Sequence, residues 1–290
     1  MIEVLDAGFY TSIQDQGRKG HRHLGVPVSG AMDQKAFELA HALFGEQLHS
    51  SIIECTLIGP KLLFHERCSL VLTGAIMEAW LNEKPLKNNT PIHVLAGDEL
   101  KLGRVLSGLR TYIKINKPLI LPAILGSTSF YSPITKSAYL KSGIHLFCMK
   151  NDRIKEHSNS NSKLRWDDSY LTDQNIYAEK GPEFALLSDE QKKLLFKNIF
   201  KVEKQSRMGY RIGSAFETEP VSMLSGAIRP GTVQITSSGV LLIAGFDGQV
   251  TGGYPRILQL TEQAMNVMFQ KKEGDTVFFK FYDKLHQKEL

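Results

Sequence analysis

Ala96–Leu102 (AGDELKL) and Glu273–Phe279 (EGDTVFF) are each a Gly-Asp turn that runs into a strand-compatible stretch. One closes the first part of the chain and the other lies near its end. The echo points to two similar β-rich units. Outward from the first copy, residues 1–130 break into short apolar or β-branched runs: Leu62–Phe64, Ser69–Leu72, Ile92–Leu95 and Tyr112–Ile115. Gly, Pro and Asn separate them, which is the pattern of strands joined by turns. Many short strands of this kind favour barrels over a parallel sheet, which needs regular strand-helix alternation. The expected fold is mainly β, with two β-barrel units over 1–115 and 116–290 and a few short helices.

Two helices are predicted. Over Gln34–Phe44, Ala36, Leu39, Ala40 and Leu43 recur at spacings of three and four and form one apolar face. Asp33 is placed to cap the start and Gly45 to end the helix as its C′ residue. The second is Asp189–Ile199, with Ser188 as N-cap. Between them, residues 150–180 contain NDRIKEHSNSNSKLRWDD, a Ser-, Asn- and charge-rich stretch expected as a partly disordered surface loop.

Composition excludes several classes. Hydrophobic residues make up 42% and charged residues 22%, as in a globular protein with a sizeable core. The net charge of +5 comes from interspersed residues, which argues against a nucleic-acid footprint while suiting a small acidic substrate. The three cysteines, Cys55, Cys68 and Cys148, are far apart and form no CxxC pair, so reduced, packed thiols are expected. The first residues, MIEVLDAGFYTSIQD, lack the charged and apolar regions of a signal peptide, and no apolar run is long enough to span a membrane. A cytoplasmic location is the expectation. His21-x-His23 has no accompanying Cys/His set, so no metal site is expected. GxGxxG, GxxxxGK[ST] and GxSxG are all missing, which leaves Rossmann, P-loop and α/β-hydrolase chemistry without support.

Three glycine-rich polar segments are candidates for ligand binding. Gln14–Asp33 (QDQGRKGHRHLGVPVSGAMD) combines close-approach glycines with Arg18, His23 and Ser29. Gln205–Gly213 (QSRMGYRIG) offers Arg207 and Arg211, whose planar forks suit a carboxylate or phosphate. Gly245–Pro255 (GFDGQVTGGYP) follows an apolar strand at Val240–Ala244 and delivers Asp247, Gln249, Thr251, Gly252, Gly253 and Tyr254 to one rim of a core. Asp247 is the candidate base, and Gln249 and Thr251 are candidate orienting groups. Gly126–Ser129 (GSTS) reads as a turn without function.

These segments, in order, resemble the biotin-dependent-carboxyltransferase-like family. The resemblance rests on Thr11–Gly20 (TSIQDQGRKG), Gly25–Asp33 (GVPVSGAMD), Ile53–Phe64 (IECTLIGPKLLF), Leu72–Ala75 (LTGA), Arg207–Arg211 (RMGYR), Ser225–Gln234 and Thr251–Pro255 (TGGYP). It implies a pair of cyclophilin-like β-barrel units. It also implies the role of the C-type subunit in an ATP-dependent 5-oxoprolinase, which opens 5-oxo-L-proline to L-glutamate with ATP cleavage. A KipI-type B-subunit and a LamB/YcsF-type A-subunit would be the partners, and ATP would be shared with the complex. On this reading Asp247, Arg207 and His23 act in catalysis, while Arg18, Ser29, Arg211, Gln249, Thr251, Gly252, Gly253 and Tyr254 bind substrate. Two alternatives stay open. One is a carboxyltransferase component acting on urea or another amide, with a separate biotin carrier because no AMKM-like turn occurs here. The other is a non-catalytic antagonist of a KipI-type kinase inhibitor. The sequence departs from the family after Arg110-Thr111-Tyr112, where no Gly-Gly pair follows, at Thr128, where arginine is common, and at Ser206, where asparagine is.

Overall fold

The computed structural model describes residues 1–45, 50–132, 134–149, 166–213, 216 and 223–282. Most of the predicted polar loop, residues 150–165, lies outside them. The chain divides into two compact units: residues 1–19 with 29–171, and residues 20–28 with 172–290. The position 115/116 is the end of a strand in the first unit, and residues 116–171 belong to that same unit.

Unit 1 holds β1 (Ile2–Asp6), β2 (Tyr10–Gln14), β3 (Ile52–Thr56), β4 (Lys61–Phe64), β5 (Cys68–Leu81), β6 (Lys84–Pro85), β7 (Ile92–Val94), β8 (Glu99–Ile115) and β9 (His145–Leu146). They form one sheet in the order β2-β3-β8-β4-β1-β9, with β5 pairing to β6, β7 and β8. Alternation along the strands gives this sheet two apolar faces. Ile53, Leu70, Leu72 and Ile113 enter one core, whereas their neighbours Ile52, Val71 and Tyr112 enter another. Helix α1 (Gln34–Ala42) covers the second core with Ala36, Phe37 and Ala40. The Asp33 side chain caps it, accepting from the Ala36 N–H at 3.0 Å. Gly45 sits beyond the end at φ 61°.

Unit 2 holds β10 (Asn175–Lys180), β11 (Phe200–Gln205), β12 (Gly209–Ile212), β13 (Gly226–Ala227), β14 (Thr232–Ile235), β15 (Leu241–Ala244), β16 (Thr251–Gly252), β17 (Arg256–Leu260) and β18 (Thr276–Phe281). Seven of them close a barrel in the order β10-β17-β14-β15-β12-β11-β18, and β18 returns to β10. β13 and β16 form a separate two-stranded ribbon. Helix α2 (Asp189–Lys197) starts at a capping box in which Ser188 and Gln191 satisfy each other's backbone N–H groups. Helix α3 (Glu262–Met268) follows β17.

The echo between the halves is a repeated turn. The Asp98 carboxylate accepts from the Leu95 N–H at 2.7 Å, and the Asp275 carboxylate accepts from the Lys272 N–H at 2.9 Å. The glycine before each aspartate has positive φ, 92° at Gly97 and 94° at Gly274. Each turn then feeds a strand, β8 in one unit and β18 in the other. The mainly β architecture in two units with a few short helices is therefore present: a closed barrel in unit 2 and a half-barrel sheet in unit 1.

Candidate functional site

Unit 2 gathers most of the predicted site residues. The turn between β11 and β12 carries Arg207, and the turn after β15 carries Asp247. Arg207 Nε donates to Asp247 Oδ2 at 2.7 Å and Nη2 donates to Oδ1 at 3.3 Å, a two-pronged pair with both side chains buried. Backbone contacts reinforce it. The Asp247 N–H donates to the Arg207 carbonyl at 3.0 Å, and the Gly245 N–H to the Met208 carbonyl at 2.9 Å. A Cβ on Gly245 would lie 2.3 Å from the Arg207 carbonyl oxygen, so only glycine lets these two turns lie together.

Beside these turns is a cleft of about 320 Å³ whose walls include Ser206, Met208, Arg211, Ile228, Gln234 and Gln249; Arg207 and Asp247 themselves are buried next to it and do not line it. Gly252 forms part of the surroundings. A Cβ there would come within 2.2 Å of Ile228 Cδ1, 2.9 Å of Gln234 Nε2 and 3.2 Å of Gln249 Nε2. Only glycine fits there, because Ile228 and the two carboxamides already crowd the position a side chain would take. Gln234 is itself fixed, donating from Nε2 to the Tyr254 carbonyl at 3.0 Å. Arg211 is exposed and pairs with Glu203 at 2.8 Å. Thr251 and Gly252 form β16 and pair with Ala227 and Gly226. Gly253 and the half-exposed Tyr254 continue from that ribbon. His23 belongs to the same unit, exposed in a short helical turn at Arg22–Leu24.

Arg18 and Ser29 lie in unit 1. Arg18 is fully buried and donates from Nε to the Ile124 carbonyl at 3.2 Å and from Nη2 to the Ser129 carbonyl. It braces the turn at 124–129. Asp15 holds the same turn. Its Oδ1 accepts from the Gly17 N–H at 2.8 Å and from the hydroxyls of Ser127 and Ser129 at 2.7 and 2.6 Å. Its Oδ2 accepts from the Thr128 N–H at 2.6 Å and the Thr128 hydroxyl at 3.0 Å. Burial pushes the Asp15 carboxyl up, but the bonds from Ser129, Ser127, Thr128 and Gly17 together hold it below the usual carboxylate range. Gly126–Ser129, read from sequence as an idle turn, is thus the ligand cage of a buried aspartate. Ser29 adopts φ 55° and is buried, with a hydroxyl that has no hydrogen-bond partner among the described residues.

The rest of the Gly25–Asp33 motif serves α1. Glu54 Oε2 accepts from the Met32 N–H at 2.9 Å and from the Tyr112 hydroxyl at 2.8 Å. The Tyr112 oxygen in turn accepts from the Asp33 N–H at 2.8 Å, and the Tyr170 hydroxyl donates to Asp33 Oδ2 at 2.7 Å. Sequence reasoning passed over Met208, Ile228 and Gln234 as lining residues and noted Ser206 only as a departure from the family. Ser206 and Met208 flank Arg207 directly, so their signal was adjacency to an arginine already chosen. Ile228 and Gln234 lie in the Ser225–Gln234 segment that carries the family resemblance, which assigned neither a role.

The three cysteines are unpaired, and burial raises all of them. Cys68 is pushed up to about 12, first by burial and then by Cys148. No group of three His, Cys, Asp or Glu side chains fit to hold a metal occurs among the described residues. No helix among them is long and apolar enough to cross a membrane.

Known proteins resemble this chain along most of its length. The family model described as carboxyltransferase domain, subdomain A and B, matches residues 24–281. The 5-oxoprolinase C-subunit of Escherichia coli (strain K12) is 29% identical over 286 residues, 96% of this chain and 90% of that protein. The 5-oxoprolinase C-subunit of Haemophilus influenzae is 31% identical over 285 residues, again 96% of this chain and 90% of that protein. Among solved structures, TTHA0988 superposes with a TM-score of 0.86 at 22% identity, over 96% of this chain and 55% of its own. The Kluyveromyces lactis urea amidolyase superposes with a TM-score of 0.83 at 29% identity, over 96% of this chain and 18% of its own. The chain thus spans about half of the first structure and under a fifth of the second. The cyclophilin-like character expected of the fold agrees with these superpositions.

Proposed function

The chain belongs to the carboxyltransferase domain, subdomain A and B, family, and on that footing we propose that it is the C-type component of an ATP-dependent 5-oxoprolinase. The complex opens the lactam of 5-oxo-L-proline to L-glutamate. A KipI-type B-subunit and a LamB/YcsF-type A-subunit are the proposed partners, with ATP shared by the assembly.

The observation that carries this reading is the unit 2 cleft, whose wall carries two carboxamides, Gln234 and Gln249, packed closely against Gly252. A lactam presents one N–H and one C=O side by side. A carboxamide offers a donor and an acceptor in the same plane, so it matches a lactam edge. Arg211 on the cleft wall supplies positive charge for the substrate carboxylate. Thr251, Gly253 and Tyr254, on the ribbon that follows Gln249, are the further proposed substrate contacts. Lactams are poor electrophiles. Phosphorylating the lactam oxygen activates the carbonyl carbon. Water adds, the ring C–N bond breaks with the nitrogen leaving as the protonated amine, and a second water releases phosphate from the acyl phosphate. The charge that develops must be met by fixed donors. Arg207 answers that need. Asp247 holds its guanidinium by two bonds and so fixes its direction before substrate arrives. His23, in the same unit, is a further candidate.

The test is reconstitution. The purified chain is mixed with both partner proteins, 5-oxo-L-proline and ATP, and glutamate and ADP are measured. Stoichiometric formation of both, lost when this chain is left out, is expected. Glutamate formation that proceeds without it, or that is untouched by Gln249→Ala, removes the proposal. A second reading, carboxyl transfer to an amide, is favoured by the urea amidolyase superposition. It predicts activity only when a biotin carrier is added.

A further inference from the structure

The barrel of unit 2 has a second cavity, of about 630 Å³, that shares the Ile228 wall with the cleft described above. None of the site residues picked from the sequence lines it. Four cationic side chains do: Arg22, Lys180, Arg229 and Arg256. Their partners differ. Arg256 is neutralised by Glu183, with Nε–Oε2 at 2.8 Å and Nη2–Oε1 at 2.5 Å. Lys180 lies over the rings of Phe184 and Phe281, at 5.6 and 5.2 Å from their centroids. The guanidinium groups of Arg22 and Arg229 make no hydrogen bond and no ion pair among the described residues.

We infer that this cavity is a binding site for a phosphate group, held between Arg22 and Arg229. Charge decides the class of ligand. Four cations stand against two carboxylates, Glu179 on the wall and Glu183 behind Arg256, which leaves two positive charges uncompensated. A phosphate near neutral pH carries about 1.5 to 2 negative charges, whereas a carboxylate carries one. Guanidinium forks also match the tetrahedral oxygens of phosphate.

The backbone positions of both arginines are fixed before any ligand arrives. Arg229 opens a tight turn in which its N–H donates to the Thr232 hydroxyl at 3.2 Å, and the Thr232 N–H donates back to the Arg229 carbonyl at 3.0 Å. The Thr232 hydroxyl donates to Gln259 at 2.9 Å, and Gln259 donates to the Pro230 carbonyl at 2.9 Å, so the whole turn is braced. Arg22 starts a helical turn closed by the Gly25 N–H on the Arg22 carbonyl at 2.9 Å. Burial, and then the charge of Arg229, lower the proton affinity of Arg22. Two like charges held near each other by braced turns repel, and a bound dianion relieves that repulsion.

The site does not depend on the 5-oxoprolinase reading, because its test needs neither partner proteins nor lactam. Inorganic phosphate is titrated calorimetrically into the full chain and into Arg22→Gln, Arg229→Gln and Lys101→Gln. Acetate serves as the monoanionic control. Phosphate is expected to bind the parent chain and to lose about tenfold or more in affinity in each arginine variant. Lys101→Gln, in unit 1, is expected to bind as the parent does, and acetate to bind more weakly than phosphate. Circular dichroism of each variant verifies folding; neither arginine is fully buried, so their loss leaves the core intact. No phosphate binding by the parent, equal affinity in the arginine variants, or acetate binding as tightly as phosphate would each overturn the inference.

Discussion

Asp15 shows how one buried carboxylate organises a segment distant in sequence. Five donors converge on it from Gly17, Ser127, Thr128 and Ser129. Asn in its place keeps one acceptor oxygen but turns an amide N–H₂ toward groups that can only donate or are already committed. Asp15→Asn is therefore expected to cost about 2–4 kcal/mol at pH 7, read from the urea midpoint. The pH dependence has a definite sign. The folded-state carboxyl is held below its unfolded value of about 3.9. Its contribution is fully present above that value and is lost as pH falls through the lower, folded one. As pH falls below about 4 the parent loses stability more steeply than Asp15→Asn. Parallel pH profiles for the two proteins would show that the cage does not hold a charged carboxylate.

At the scale of elements, what could be read from the sequence and what could not divides along the glycines. Helix α1 was legible because Asp33 and the three-four spacing act within one turn, and the structure places it at Gln34–Ala42. The short runs Ser69–Leu72 and Tyr112–Ile115 were legible as strands but not in length. They are parts of β5, 14 residues long, and β8, 17 residues long. From sequence, glycine reads only as one of the residue types that break the runs. Gly74 instead marks a place where the β5–β8 register slips and the strand continues, with φ 81° and a Cβ position 2.6 Å from the Arg110 carbonyl. Local composition cannot separate a turn from a bulge, because both need the same residue. The candidate site divides in the same way. The two arginine-bearing and glycine-bearing turns of unit 2 were legible from residue type, and they do meet, since Arg207 binds Asp247. Arg18 was chosen on residue type too, yet its guanidinium serves backbone carbonyls, a choice set by tertiary burial. Arg229 gave no signal, because only the closed barrel brings it to the same cavity as Arg22. The turn after β15 supports a prediction of its own. In Gly245→Ala the new Cβ meets backbone, not a flexible side chain, so the β11–β12 turn must move away. The expected loss is about 2–4 kcal/mol in a denaturant titration, and a loss under about 0.5 kcal/mol would mean that the two turns are not locked together.

The whole chain has spectroscopic and chemical reporters confined to one of its units. Both tryptophans, Trp80 and Trp166, and all three cysteines fall within 29–171 and therefore in unit 1. The thiols of Cys55 and Cys68 are buried and Cys148 is partly so, and burial keeps all three protonated at neutral pH. Thiolate is the reactive form, so alkylation in the native state is slow and becomes fast when unit 1 opens. Each unit also has its own apolar interior. That of unit 1 lies on the two faces of its sheet, and that of unit 2 lies inside the barrel around Val202, Tyr210, Val233, Ile243, Leu258 and Phe279. A unit with its own core can unfold as its own cooperative step. Asp15→Asn is then expected to shift the urea midpoint seen by thiol labelling and by tryptophan fluorescence. Gly245→Ala is expected to shift only the far-ultraviolet dichroism transition, to which both units contribute, and to leave the thiol and tryptophan midpoints in place. If Gly245→Ala moves the labelling midpoint as far as Asp15→Asn does, the two cores melt as one, and the division into separately stable units fails.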